Sequence, residues 1–219
     1  METLPGLPAP ARQPPLPAVQ TLRRVVVLRA LMLGDLLCAT PALRALRHGL
    51  PQAHITLVGL PRLRALALRL GSVDAYVDFP GWPGLPEQAP GEPQAVLGFL
   101  QQLRAQHFDL ALQLHGSGQV VNALVASFGA RLTAGFVPAG GWHPAADAAR
   151  YLRWPEQGSE VERLLRLTDH LGLPRRPAAG GGGSAALDFP LQPRDRLAAH
   201  GVLAALGQSG RLPPLAVVH

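Results

Sequence analysis

Lysine is absent, so all twenty basic side chains of the chain are arginine. A phosphate-binding loop of the G-x-x-x-x-G-K type is therefore excluded. The dinucleotide fingerprint G-x-G-x-x-G is missing too, since residues 30–35 (ALMLGD) carry a single glycine, Gly34. One cysteine, Cys38, excludes an internal disulfide framework and a cysteine-based zinc site, and it suits a reducing compartment. His115, His143 and Asp147 show no H-x-x-x-H or H-E-x-x-H spacing, so no metal site is expected. No apolar run reaches the roughly 18 residues of a membrane span. Residues 1–20 are proline-rich and lack a charged segment followed by an apolar one, which makes them a disordered leader and not a signal peptide. The expected location is cytoplasmic.

What remains is a chain of 219 residues, 47% hydrophobic, long enough for one medium domain with appendages or for one domain and the first strand of another. The net charge of +6 invites a nucleic-acid reading. The arginines are scattered, however, with only Arg23-Arg24 and Arg175-Arg176 adjacent, and no basic stripe carries interleaved aromatics. No nucleic-acid partner is expected. Anionic lipid headgroups or phosphorylated substrates fit the same charge.

Hydrophobic periodicity predicts alternating strands and helices. Strands are expected at about 23–29, 54–59, 74–79, 109–114 and 131–136. Helices are expected after the turn at 30–35 to about His48, then at 61–70, 92–107, 119–128, 158–171 and 193–206. Pro41 falls inside the first helix and predicts a kink there, or a restart with Thr40 as cap. Residues 137–157 read as loop, 178–186 (AAGGGGSAA) as a flexible linker, 187–191 as a possible strand, and 213–219 as a new buried strand. This alternation implies right-handed crossovers and an α/β fold: a Rossmann-like, mostly parallel sheet with helices on both faces. The division expected is a leader at 1–21, a domain at 22–191, and at 192–219 a connecting helix with the first strand of a further domain.

In such sheets ligands bind beyond the carboxyl ends of the strands. Gly34-Asp35 follows the first strand, where glycine permits a tight turn and the next helix presents free amides. Asp35 has two readings: a cap on those amides, or a general base for an attacking hydroxyl. Arg29 ends the first strand and would either meet an acceptor phosphate or reach solvent. His115 and Ser117, in the turn His115-Gly116-Ser117-Gly118 after the fourth strand, would bond a substrate hydroxyl or phosphate, or serve only the structure. A dyad of His115 with Asp35 is conceivable.

Residues 24–29 (RVVVLR), 33–37 (LGDLL), 39–47 (ATPALRALR) and 51–58 (PQAHITLV) together resemble the opening of glycosyltransferase family 9, the ADP-heptose–lipopolysaccharide heptosyltransferases. Residues 108–118, 129–136 and 160–174 continue the likeness, which extends over about 22–219. The resemblance implies the N-terminal, acceptor-side domain of a two-domain transferase of the GT-B type, with Asp35 as general base. Arg29, Gly34, His115 and Ser117 would then be acceptor-binding. The nucleotide-sugar is a substrate, and no cofactor is implied. The acceptor would be a glycan or glycolipid met at the inner membrane face, with no obligate protein partner. The chain stops before the donor-binding half, so as isolated it is expected to be inactive. The alternative is a non-catalytic α/β binding module or truncated remnant; a reading frame continuing beyond His219 would favour the enzyme.

Overall fold

The computed structural model describes residue 16, residues 22–178 and residues 181–205. The expected strand at 213–219 lies outside them, as does the leader apart from Leu16. That leucine is buried in the main core, so the leader is not solvated throughout.

Six strands form one all-parallel sheet: β1 (Arg24–Leu28), β2 (His54–Gly59), β3 (Ala75–Asp78), β4 (Leu110–Gln113), β5 (Leu132–Val137) and β6 (Tyr151–Arg153). The helices are α1 (Leu33–Gly49), α2 (Arg64–Ala67), α3 (Pro93–Arg104), α4 (Val121–Ala126), α5 (Glu160–His170) and α6 (Pro193–Ala205). The spatial order β3-β2-β1-β4-β5-β6 reverses direction between β1 and β4. Ligand crevices of open α/β sheets open at such a reversal. The segments after β1 and β4 therefore flank the expected site.

Sequence and packing agree most closely at the centre. Val25–Val27 and Leu28 of β1 are wholly buried, as befits a β-branched strand covered on both faces. Leu36, Ala39, Leu43 and Leu46 recur at spacings of three and four on the buried face of α1, and buried Leu50 follows at its C-terminal cap. Each buried leucine contributes about 1.5–3 kcal/mol of transfer free energy. Phe79, Phe99 and Phe128 meet edge to face in a chain across the core, at centroid distances of 6.1 and 5.8 Å.

Several expectations need correction. Pro41 does not divide α1, which runs unbroken. A proline inside a helix leaves the carbonyl four residues earlier without its donor. Here the Thr40 hydroxyl donates to that carbonyl, Leu37 O, at 2.8 Å. The helix expected at 61–70 is a 3-10 turn, Pro61–Leu63, followed by the single turn of α2. The loop expected at 137–157 contains a 3-10 helix, Ala145–Arg150, and the edge strand β6. Buried Asp147 secures that helix by accepting from the backbone N–H (2.9 Å) and hydroxyl (2.6 Å) of Thr133 and by pairing with Arg150. No strand forms at 187–191. The described part of the glycine-rich stretch is fastened to α1. Arg44 donates to the carbonyls of Ser184 and Ala186, pairs with Asp188, and Asp188 N–H donates to Thr40 Oγ1. The first compact unit ends at Asp188, and a second, containing α6, begins at Phe189.

Candidate functional site

Arg29 directly follows β1, and its side chain has no solvent exposure. Its Nε and Nη2 donate to the backbone carbonyl of Asp35 at 3.0 and 2.8 Å. Its Nη1 donates to Leu114 O at 2.5 Å and to Glu160 Oε1 at 3.0 Å. One planar guanidinium thus ties the first turn of α1 to the end of β4 and to the start of α5, which packs on α1. Burial lowers the Arg29 pKa, while Glu160 and then Asp35 act to raise it. The group stays cationic at any ordinary pH. Arg29 therefore does not reach solvent, and four of its five N–H groups are taken by the fold.

Asp35 stands in the first turn of α1, and its side chain is 42% exposed. Oδ2 accepts the backbone N–H of Met32 at 3.2 Å, so the carboxylate does cap the helix entry, from inside the first turn. Oδ1 lies 3.8 Å from Arg29 Nη2. Asp35 is thus not the N-cap itself but accepts from it, and one side chain combines that contact with exposure to solvent. A Cβ added at Gly34 would meet nothing within 4 Å, so the turn beside Asp35 is bare.

The turn after β4 is built by residues that the periodicity reading passes over. Gln113 is fully buried and its Nε2 donates to the carbonyls of His115 (2.6 Å) and Gly116 (3.0 Å). Its Oε1 accepts from Phe136 N–H at 2.9 Å, which links the turn to β5. Room for that amide exists because a Cβ at Gly135 would sit 2.7 Å from Gln113 Cβ. Asn122 donates to the carbonyls of Phe136 and Trp142. Gly118 has φ +91° and faces Phe136 O so closely that a Cβ would approach to 2.2 Å, which leaves glycine as the residue that fits.

A pocket of about 210 Å³ opens at this turn, lined by Leu31, Leu85, Glu87, His115, Ser117 and Val120 among others. His115 is 5% exposed. The backbone N–H of Ala30 donates to His115 Nδ1 at 3.2 Å, so the neutral ring carries its proton on Nε2. Nε2 faces Glu87 Oε2 at 3.9 Å. Nδ1 is taken by Ala30 and Nε2 faces Glu87, so the conceivable dyad with Asp35 is not formed. The structure unites His115, Gly116 and Ser117 with Glu87, and Arg29 with Asp35 and Glu160. The two groups join through Arg29, which holds the carbonyl next to His115. Among the described residues no cluster of three or more His, Cys, Asp and Glu side chains could hold a metal ion.

Burial, and secondarily the Arg29 charge, push the His115 pKa from 6.5 down to about 4. Between these values the unfolded chain binds a proton that the folded chain refuses, so stability present above pH 6.5 is lost as pH falls toward 4. The shift corresponds to about 3 kcal/mol at 1.36 kcal/mol per pKa unit. Urea unfolding of the wild type and of His115→Asn, whose Oδ1 can still accept from Ala30, is expected to converge by that amount between neutral and acid pH. Parallel pH profiles would show that His115 ionises freely in the folded state.

No protein-family model matches the chain, and no curated protein matches it. Solved structures do. A family 9 glycosyltransferase from Veillonella parvula is similar at a TM-score of 0.63 and 19% identity, over 85% of this chain and 51% of that one. The E. coli heptosyltransferase WaaC, with ADP-2-deoxy-2-fluoro heptose, is similar at 0.54 and 20% identity, over 72% of this chain and 51% of that one. E. coli ADP-heptose LPS heptosyltransferase II is similar at 0.53 and 18% identity, over 88% and 53%. This chain has the α/β fold of one domain of these GT-B-like transferases. It spans about half the length of each.

Proposed function

We propose that this chain is the acceptor-side half of an inverting glycosyltransferase of the heptosyltransferase kind, with Asp35 as its general base. The observation that carries the reading is a half-exposed carboxylate fixed in the turn after β1, at the reversal of strand order. An acceptor hydroxyl would give its proton to Asp35 while its oxygen bonds to the anomeric carbon of a nucleotide-sugar. The bond from that carbon to the diphosphate breaks, the electron pair leaves with the nucleoside diphosphate, and the configuration inverts. Positive charge builds on the sugar in the transition state, so a carboxylate held beside it also stabilises electrostatically.

Arg29 acts through Asp35 and does not touch the acceptor. Its bonds to the Asp35 carbonyl keep the turn in one geometry, and it supplies a counter-charge 3.8 Å from Oδ1. His115 and Ser117 are assigned to the acceptor, a glycan or glycolipid such as a lipopolysaccharide core sugar, met at the inner membrane face. No helix among the described residues is long and apolar enough to cross a membrane, which is compatible with peripheral contact. The donor's nucleotide falls to the other half of the transferase. The test is sugar transfer from ADP-heptose and other nucleotide-sugars by the full-length parent and its Asp35→Asn variant. Equal turnover of the two would remove Asp35 from the chemistry, and turnover with neither would remove the transferase reading.

A further inference from the structure

Glu87 belongs to the proline- and glycine-rich loop after β3, a segment with no role in the reading above. Its Oε2 is buried, and no described residue donates a hydrogen bond to it. A buried carboxylate oxygen without a donor is costly, and its neighbours show what would relieve it. His115 Nε2, a donor in the neutral ring, lies 3.9 Å away. That separation is too long for a direct hydrogen bond. It suits two partners of one shared oxygen, each at about 2.7–3.0 Å from it.

We propose that the gap between His115 Nε2 and Glu87 Oε2 is a subsite for one neutral hydroxyl of a carbohydrate ring. The group must accept from Nε2–H and donate to Oε2 at once, and a hydroxyl does both. An ammonium group has no lone pair for Nε2–H. A phosphate has no proton for Glu87 at neutral pH and meets its negative charge, in a pocket lined by no lysine or arginine. Leu31, Leu85 and Val120 give apolar walls on which the C–H face of a pyranose can rest. A volume of about 210 Å³ lies below the ~300 Å³ of clefts for drug-sized ligands and suits one sugar unit. The assignment of His115 thereby narrows from hydroxyl or phosphate to hydroxyl, and Glu87 becomes the residue that sets this specificity. The choice of carbohydrate rests on the acceptor-side reading.

The experiment titrates this chain with glucose, glucosamine and glucose phosphate, following the His115 ring signals by heteronuclear NMR. Glucose is expected to bind weakly, in the millimolar range, and to shift those signals. Glucose phosphate is expected to bind more weakly still. Glu87→Ala is expected to weaken glucose binding by about tenfold or more. Glu87→Gln, which keeps the volume of the side chain, should erase the discrimination against phosphate even if Ala perturbs the loop. The inference is overturned if glucose phosphate binds the wild type as well as glucose does, if both variants retain wild-type behaviour, or if no sugar gives a saturable shift. Binding is read here without donor or turnover, so failure of this subsite and failure of Asp35 as base appear in separate measurements.

Discussion

Under the proposed function, Asp35→Asn is expected to lower kcat for sugar transfer by roughly hundredfold to ten-thousandfold, the usual worth of a positioned general base. The substitution preserves shape. Asparagine keeps an oxygen for the Met32 N–H, and the Arg29 bonds run to the backbone carbonyl of residue 35, which the side-chain change does not touch. What is lost is the capacity to take a proton, together with the charge 3.8 Å from Arg29. The stability cost should stay below about 1 kcal/mol, the scale of an exposed carboxylate at a helix start. A large fall in kcat with an unchanged urea midpoint therefore separates chemistry from folding. An unchanged kcat with a lowered midpoint would assign Asp35 to capping.

The position of Asp35 was legible because its determinants are local: a β-branched run, one glycine and a carboxylate at the start of an amphipathic helix. Strands β1 to β5 were legible for the same reason. β6 was not, because three residues of an edge strand, paired on one side to β5, need neither length nor periodicity. At Pro41 the helix does not restart, and the Thr40 hydroxyl serves the carbonyl that the missing N–H would have served. Gln113 and Asn122 did leave a signal, each being the one amide in an otherwise apolar stretch (LALQL and VVNALV). A buried amide in such a stretch commonly serves backbone groups that the sheet leaves unpaired, and both do so here. Glu87 and Glu160 left none. Their partners lie on other elements, and Arg29 and Glu160 are separated by 131 positions.

The consequences of that separation are largest at Arg29. Arg29→Ala is expected to destabilise the domain by about 3–5 kcal/mol, the cost of removing one partner from a buried charged network. The loss has three parts: Leu114 O and Glu160 Oε1 lose their buried donor, the Asp35 carbonyl loses two charged donors, and a cavity opens beside a core strand. With a urea dependence of about 2 kcal/mol per molar, the unfolding midpoint should fall by about 2 M. Arg29→Lys should lie between, since one ammonium retains the charge but cannot span three acceptors set by a planar fork. The double variant Arg29→Leu with Glu160→Leu should cost less than the sum of its two single variants, because the uncompensated carboxylate leaves with the arginine. Additive losses would mean that Glu160 is not an energetic partner of Arg29. A midpoint shift of Arg29→Ala below roughly 0.5 M would mean that these bonds do no more than offset the cost of burying the charge, and that the turn carrying Asp35 is held by the packing of α1 alone.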